Sequence, residues 1–156
     1  MEAPALTGSL SLVLFSELNH MTKIIYQNSD GGVSVVIPSG EVPVEELPEK
    51  LGLTDYEIVE DDVIPTDRTF RNAWVKTEAT VVEDLTKSKA LGHDMRRSKR
   101  TEEFKPYDDL ISKQIPGSDT DTAEASRATI RTKYATMQTS IDEATTTELI
   151  KTALKG

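Results

Sequence analysis

The residues best equipped for chemistry fall into a few short clusters. The most unusual is Ile64-Pro65-Thr66-Asp67-Arg68-Thr69-Phe70-Arg71-Asn72-Ala73-Trp74, which holds the only Trp together with two Arg and an Asp. Charged groups gathered at a strand entry are raw material for an active site, but without a nucleophile–base pair or a metal partner they carry no reaction. The structural reading is that Pro65 leads into the strand and Phe70 and Trp74 anchor it to a core. Asp67, Arg68 and Arg71 then form an ion-pair and hydrogen-bond cluster around the turn. A second cluster, Arg96-Arg97-Ser98-Lys99-Arg100, is compactly basic. On a helix these residues point several ways and do not line one groove-facing stripe, and the nearest aromatic, Phe104, makes no single-strand stacking platform. Three readings stay open for it: pairing with the acidic segment 41–62 within the chain or between subunits, nucleic-acid binding, or an acidic protein partner.

Catalytic templates are missing one by one. There is no Gly-x-Ser-x-Gly elbow, Gly-x-x-x-x-Gly-Lys phosphate loop or His-Glu-x-x-His zinc motif. His20 and His93 stand in unlike contexts, and His93 reads as a solvated helix residue. Glu60-Asp61-Asp62 could hold a divalent ion only beside a second carboxylate cluster, since hard cations want several oxygens. With no Cys there is no thiolate nucleophile, disulfide or Cys-based zinc site. No cofactor, metal or catalytic residue is expected, and the chain reads as a non-enzyme.

Composition narrows the class further. A chain of 156 residues makes one domain, or one plus an appendage. Its apolar fraction of 37% with 5% aromatics predicts a thin core. A net charge of −9 repels phosphate backbones and anionic lipid at long range, which disfavours a general nucleic-acid or membrane-surface binder. Residues 41–62 carry nine acidic side chains against Lys50 alone. That run reads as a solvated face, with a docking site for a basic partner as the alternative.

The elements that would position these residues divide the chain into a disordered extension (1–20), a small β domain (21–78) and a helical region (79–156). The apolar cluster Leu10, Leu12, Val13, Leu14 and Phe15 is too short to span a bilayer, and residues 1–20 read as an upstream extension, or else as a packing or docking arm. Runs at Lys23–Gln27 and Val33–Ile37 flank Asn28-Ser29-Asp30-Gly31-Gly32, a hairpin signal. A short helix is expected at Val44–Leu51, with strands at Tyr56–Val59 and Phe70–Lys76. Thr80-Val81-Val82-Glu83 matches a capping box and predicts a helix over 81–103, its sparse face formed by Val82, Leu85, Ser88, Gly92 and Met95. Pro106 should end that helix before a shorter piece with Tyr107, Leu110 and Ile111, and Pro116-Gly117 should turn the chain. From Ser118 or Asp119 to residue 143, Ala123, Arg127, Ile130, Tyr134, Met137, Ile141 and Ala144 follow steps of four and three, one helical stripe. Thr145-x-x-Glu148 predicts a last short helix to Leu154. The fold expected is α+β, a small antiparallel sheet followed by an α-helical hairpin. Its stripe, among ten threonines after residue 118, would need the sheet or another subunit as cover. Ile130, Tyr134, Met137 and Ile141 thereby become candidate partner contacts beside Arg96, Arg97, Lys99 and Arg100.

The succession KIIYQNSDGGVSVVIP, EIVEDDVIPTDRTFRNAW and a basic helix with Asp84, Lys87, Lys89 and Arg96 resembles small uncharacterised proteins of tailed bacteriophages and prophages. Those relatives share a P-x-DR-x-FR-x-AW string followed by a basic helix and a helical tail. The resemblance covers about residues 21–156 and brings no catalytic residues with it. It implies a phage or prophage origin and a minor tail or virion component, or a tail-fibre assembly factor. Such a protein would work by contact with a phage structural protein or a second copy of itself, in the host cytoplasm during assembly or in the virion. The alternative is a small phage regulator or host-defence antagonist that binds nucleic acid or a host enzyme through the basic helix.

Overall fold

A computed structural model describes residues 22–113, 117 and 119–156, and the chain forms two compact units divided at the Glu83–Asp84 bond. Residues 1–20, with their apolar cluster and His20, lie outside the described residues, as do Pro116 and Ser118 of the expected turn.

In the first unit Asn28 builds the opening turn. Its Oδ1 accepts from the backbone amides of Asp30 and Gly32 at 3.1 and 2.9 Å, and Gly31 sits at φ +74°, where a side chain would be strained. The turn lays β1 (Thr22–Gln27) antiparallel on β2 (Val33–Val36), with Gln27 opposite Val33. β3 (Tyr56–Glu60) pairs antiparallel along the other edge, giving the order β2-β1-β3. Strand alternation turns Ile25, Val33, Val35 and Val59 to one face. A second hairpin, β4 (Trp74–Thr77) with β5 (Thr80–Glu83), brings Trp74 and Val81 to them, and Ile64 and Val63 complete the core. The segment expected as a short helix forms a 3-10 turn at Val44–Glu46 followed by α1 (Leu47–Leu51).

Two expectations change here. Thr80-Val81-Val82-Glu83 is a strand and not a helix cap: the Thr80 hydroxyl donates to the Thr77 carbonyl at 2.8 Å across the turn, and Val81 is buried. The strand expected from Phe70 begins only at Trp74, because Arg71–Ala73 forms a 3-10 turn first.

The second unit holds α2 (Leu85–Lys113), α3 (Thr120–Glu143) and α4 (Thr147–Ala153). Carboxylates cap the first two: Asp84 Oδ1 accepts from the Lys87 amide at 2.7 Å and Asp119 Oδ1 from the Thr122 amide at 2.9 Å. Thr146, one residue beyond the expected Thr145, caps α4 by accepting from the Leu149 amide at 3.3 Å. α2 runs through Pro106 instead of ending before it. Proline removes a helical hydrogen bond and crowds the preceding turn, but α3 ties α2 down on both sides of it. Lys133 Nζ and the Tyr134 hydroxyl donate to Glu103 at 2.7 and 2.8 Å, and Arg127 Nε meets Asp108 at 3.0 Å.

α2 and α3 are antiparallel, since partners in α3 descend from Asp142 opposite Lys89 and His93 to Arg127 opposite Asp108. The stripe Ala123, Ile130, Tyr134, Met137, Ile141 and Ala144 is buried, as are Ile150 and Leu154 of the α4 segment. This corrects the expected cover: α2 and α4 of the same unit enclose the stripe, so neither the sheet nor a second subunit is needed. The buried line of α2 is Ser88, Gly92 and Arg96. Met95, expected on that line, is 37% exposed, and Val82 lies in β5. Residues 88, 92 and 96 recur at i, i+4, so the two small residues set the contact line and Arg96 falls on it.

Candidate functional site

The string at 64–74 is built as successive turns. Asp67 Oδ1 accepts from the Thr69 amide at 2.8 Å, the Arg71 amide donates to the Arg68 carbonyl at 3.1 Å, and the Ala73 amide donates to the Phe70 carbonyl at 2.8 Å. A three-residue turn period places Phe70 and Ala73 on one side, and both are fully buried, as is Trp74. Pro65 is half-buried, while Asp67, Arg68 and Arg71 are exposed. Asp67 supplies the hydrogen-bonding part of the expected cluster through the Thr69 amide. Arg71 lies over the Trp74 ring, 6.0 Å from its centroid, at the edge of cation–π range. The string's apolar members are core, and its charged members face solvent.

The basic cluster divides between structure and surface. Arg96 is buried, with Nη1 donating to the Tyr134 carbonyl at 3.4 Å and Nε without a partner. Lys99 Nζ donates to the Leu154 carbonyl at 2.6 Å, placing a cation at the C-terminal end of α4, where the helix dipole favours it. Arg97 pairs with Asp94 on its own helix. His93 is not a solvated residue but a tie between helices, its Nε2 lying 3.0 Å from Asp142 Oδ1. Four acids of segment 41–62 find lysines within their own unit. Asp55 and Glu57 approach Lys76 at 2.9 and 3.9 Å, Asp61 approaches Lys23 at 4.0 Å, and Glu46 approaches Lys50 at 3.3 Å. Of the other expected contact residues, Ile130, Tyr134, Met137 and Ile141 are buried.

An open cleft of about 430 Å³ lies between α2 and α3, lined by Arg97, Arg100, Thr101, Phe104, Asp108, Arg127 and Arg131. The guanidinium carbons of Arg100, Arg127 and Arg131 stand 5.2, 5.6 and 5.9 Å from the Phe104 ring centroid. Arg127 pairs with Asp108 and Glu124, and Arg131 reaches Glu124 at 3.6 Å. Arg100 has no carboxylate partner among the described residues. Sequence reasoning missed Asp108 and Arg131 and considered Phe104 only as a nucleic-acid stacking platform. The signal was there in two i, i+4 pairs, Arg100 with Phe104 and Arg127 with Arg131, but only the register of α2 against α3 joins them.

A second polar network lies along the same helix pair. The bonds from Lys133 and Tyr134 hold the Glu103 carboxyl below its ordinary value. Burial, with the Glu103 bond second, pushes the Tyr134 hydroxyl up to about 12. Among the described residues no group of three or more His, Asp and Glu could hold a metal ion, so Glu60-Asp61-Asp62 gains no further ligand. No helix among them is long and apolar enough to cross a membrane.

Charge is unevenly shared between the units. Residues 1–83 carry fifteen Asp and Glu against five Lys and Arg, while residues 84–156 carry twelve against thirteen. The cleft therefore belongs to the one unit without a negative excess. Comparison with protein-family models, with curated proteins and with solved structures finds no match for this chain.

Proposed function

We propose that the protein is a non-enzymatic bacteriophage protein acting through protein contacts, as a minor tail or virion component or a tail-fibre assembly factor. It works in the host cytoplasm during assembly or within the virion. The observation that supports contact is the cleft of Arg97, Arg100, Arg127 and Arg131 around Phe104. Arginine and aromatic side chains are enriched in protein interfaces and carry much of their energy. The phage assignment rests on the resemblance at Pro65, Asp67, Arg68, Phe70, Arg71 and Trp74 and the segments around them.

Nucleic-acid binding through the basic helix is the weaker reading. Arg96 is buried, Lys99 is engaged by a carbonyl, and carboxylates alternate with the guanidiniums of the cleft. Few phosphates could be neutralised there. The test is immunodetection of the chain in purified virions and in tail assembly intermediates from infected cells. The chain is expected to co-sediment with one of them, less so as Arg100→Glu. A chain present in the lysate but in neither fraction overturns the proposal.

A further inference from the structure

We infer that the arginine-lined cleft of one copy receives the acidic segment 41–62 of a second copy, joining the chains head to tail. The inference rests on the contact reading above and names the occupant of the same cleft. On one side of the contact, Arg100 has no carboxylate partner among the described residues. Arg131 is nearly half exposed, and its one carboxylate neighbour among the described residues is Glu124 at 3.6 Å. On the other side, Glu41, Glu45, Glu49, Glu60 and Asp62 are exposed and have no basic partner among the described residues, while Lys23, Lys50 and Lys76 already face other acids. Guanidinium forks match carboxylates in planar, bidentate geometry.

The apolar content of the two surfaces also fits. Leu51, within the acidic segment, is 52% exposed, and half-buried Phe104 offers it an aromatic wall inside the cleft.

The charge distribution sets the orientation. Two chains of net charge −9 repel each other at long range, and most of that repulsion lies between their first units. Head-to-tail contact brings the acidic first unit of one chain to the nearly neutral second unit of the other, which lowers like-charge opposition. Such a contact uses two different patches, so each added copy leaves one of each open, and it builds rings or open chains.

The test is sedimentation velocity of the full chain over a concentration series, at about 0.1 M and about 1 M NaCl, where the screening length is roughly 10 and 3 Å. The wild type is expected to associate at the lower salt and at least about tenfold more weakly at the higher. Two variants are then compared, one with Arg100→Glu and Arg131→Glu, the other with Glu45→Lys, Glu49→Lys and Glu60→Lys. Each is expected to be monomeric alone, whereas their mixture forms a heterodimer, because each retains the patch the other lacks. Circular dichroism confirms that both fold, and the milder Arg100→Ala replaces the first if it does not. A wild type monomeric at both salts, a cleft variant that still self-associates, or a mixture that stays monomeric overturns the inference. A monomeric chain that still co-sediments with virions overturns this inference alone and leaves the proposed function standing.

Discussion

A β-carbon added at Gly92 would stand 2.8 Å from Cγ2 of Ile150 and 3.6 Å from Cγ2 of Ile141. The absence of a side chain there lets the α2 backbone seat the isoleucines of α3 and α4. Gly92→Ala should gain about 1 kcal/mol of helix propensity and still destabilise by roughly 1–3 kcal/mol through overpacking. Urea unfolding measures it. Combined with Ile150→Ala, the loss should fall short of the sum of the two single losses by at least about 0.5 kcal/mol, as expected of residues in contact.

The Tyr134–Glu103 bond makes stability depend on pH at both ends. The folded state holds the Tyr134 proton more tightly than the unfolded chain does, so its contribution is intact below pH 10 and is lost as pH rises toward about 12. Glu103 has the opposite sign: its contribution is intact above the ordinary carboxyl value of 4.5 and is lost as pH falls through its lowered folded value. Denaturant titration across both ranges should show Tyr134→Phe with a flatter alkaline limb than wild type and Glu103→Gln with a flatter acid limb.

Arg96 is a buried guanidinium with one weak carbonyl bond and an unpartnered Nε. Replacing a poorly satisfied buried charge with an apolar side chain of similar reach is often neutral or stabilising by about 1–4 kcal/mol. Arg96→Met should therefore leave the melting temperature unchanged or raise it. A large fall would mean that the Tyr134 carbonyl contact is stronger than its 3.4 Å length indicates.

Glu78 turns the β4–β5 hairpin at φ +53°, a region that costs an L residue about 1–2 kcal/mol. Glycine removes that cost but adds freedom to the unfolded chain, worth about 0.4–1 kcal/mol in the other direction. Glu78→Gly is expected to stabilise by up to about 1 kcal/mol in thermal unfolding, whereas Glu78→Val should lower the melting temperature.

Local signals are legible in the sequence, and signals whose meaning depends on distant partners are not. Asn28 to Gly32 builds its turn from its own atoms, and the stripe from Ala123 to Ala144 follows from helical period alone, so both are legible. The string Thr80-Val81-Val82-Glu83 suits a capping box and strand alternation equally. Burial of Val81 against Ile25 and Trp74 decides between them, and a linear reading does not contain that contact. Pro106 is likewise overruled by α3 residues that grip Glu103 and Asp108. Of the cleft, Arg97 and Arg100 stand in the basic cluster and Arg127 on the helical stripe. Their meeting at Phe104 depends on how two helices align, which residue spacing along one helix cannot express.

The division at the Glu83–Asp84 bond has a consequence for synthesis, because each unit is one continuous stretch of chain. Every strand pairing among the described residues lies within residues 22–83, so these strands can pair while the helices are still being made. The second unit cannot close early, since its seat at Gly92 is filled by Ile150 near the far end of the chain. At roughly 5–20 residues per second, α2 waits several seconds on the ribosome for α4 to emerge. The residues of α2 that become buried are Ser88, Gly92 and Arg96, so the line that waits for α4 carries no large apolar side chain.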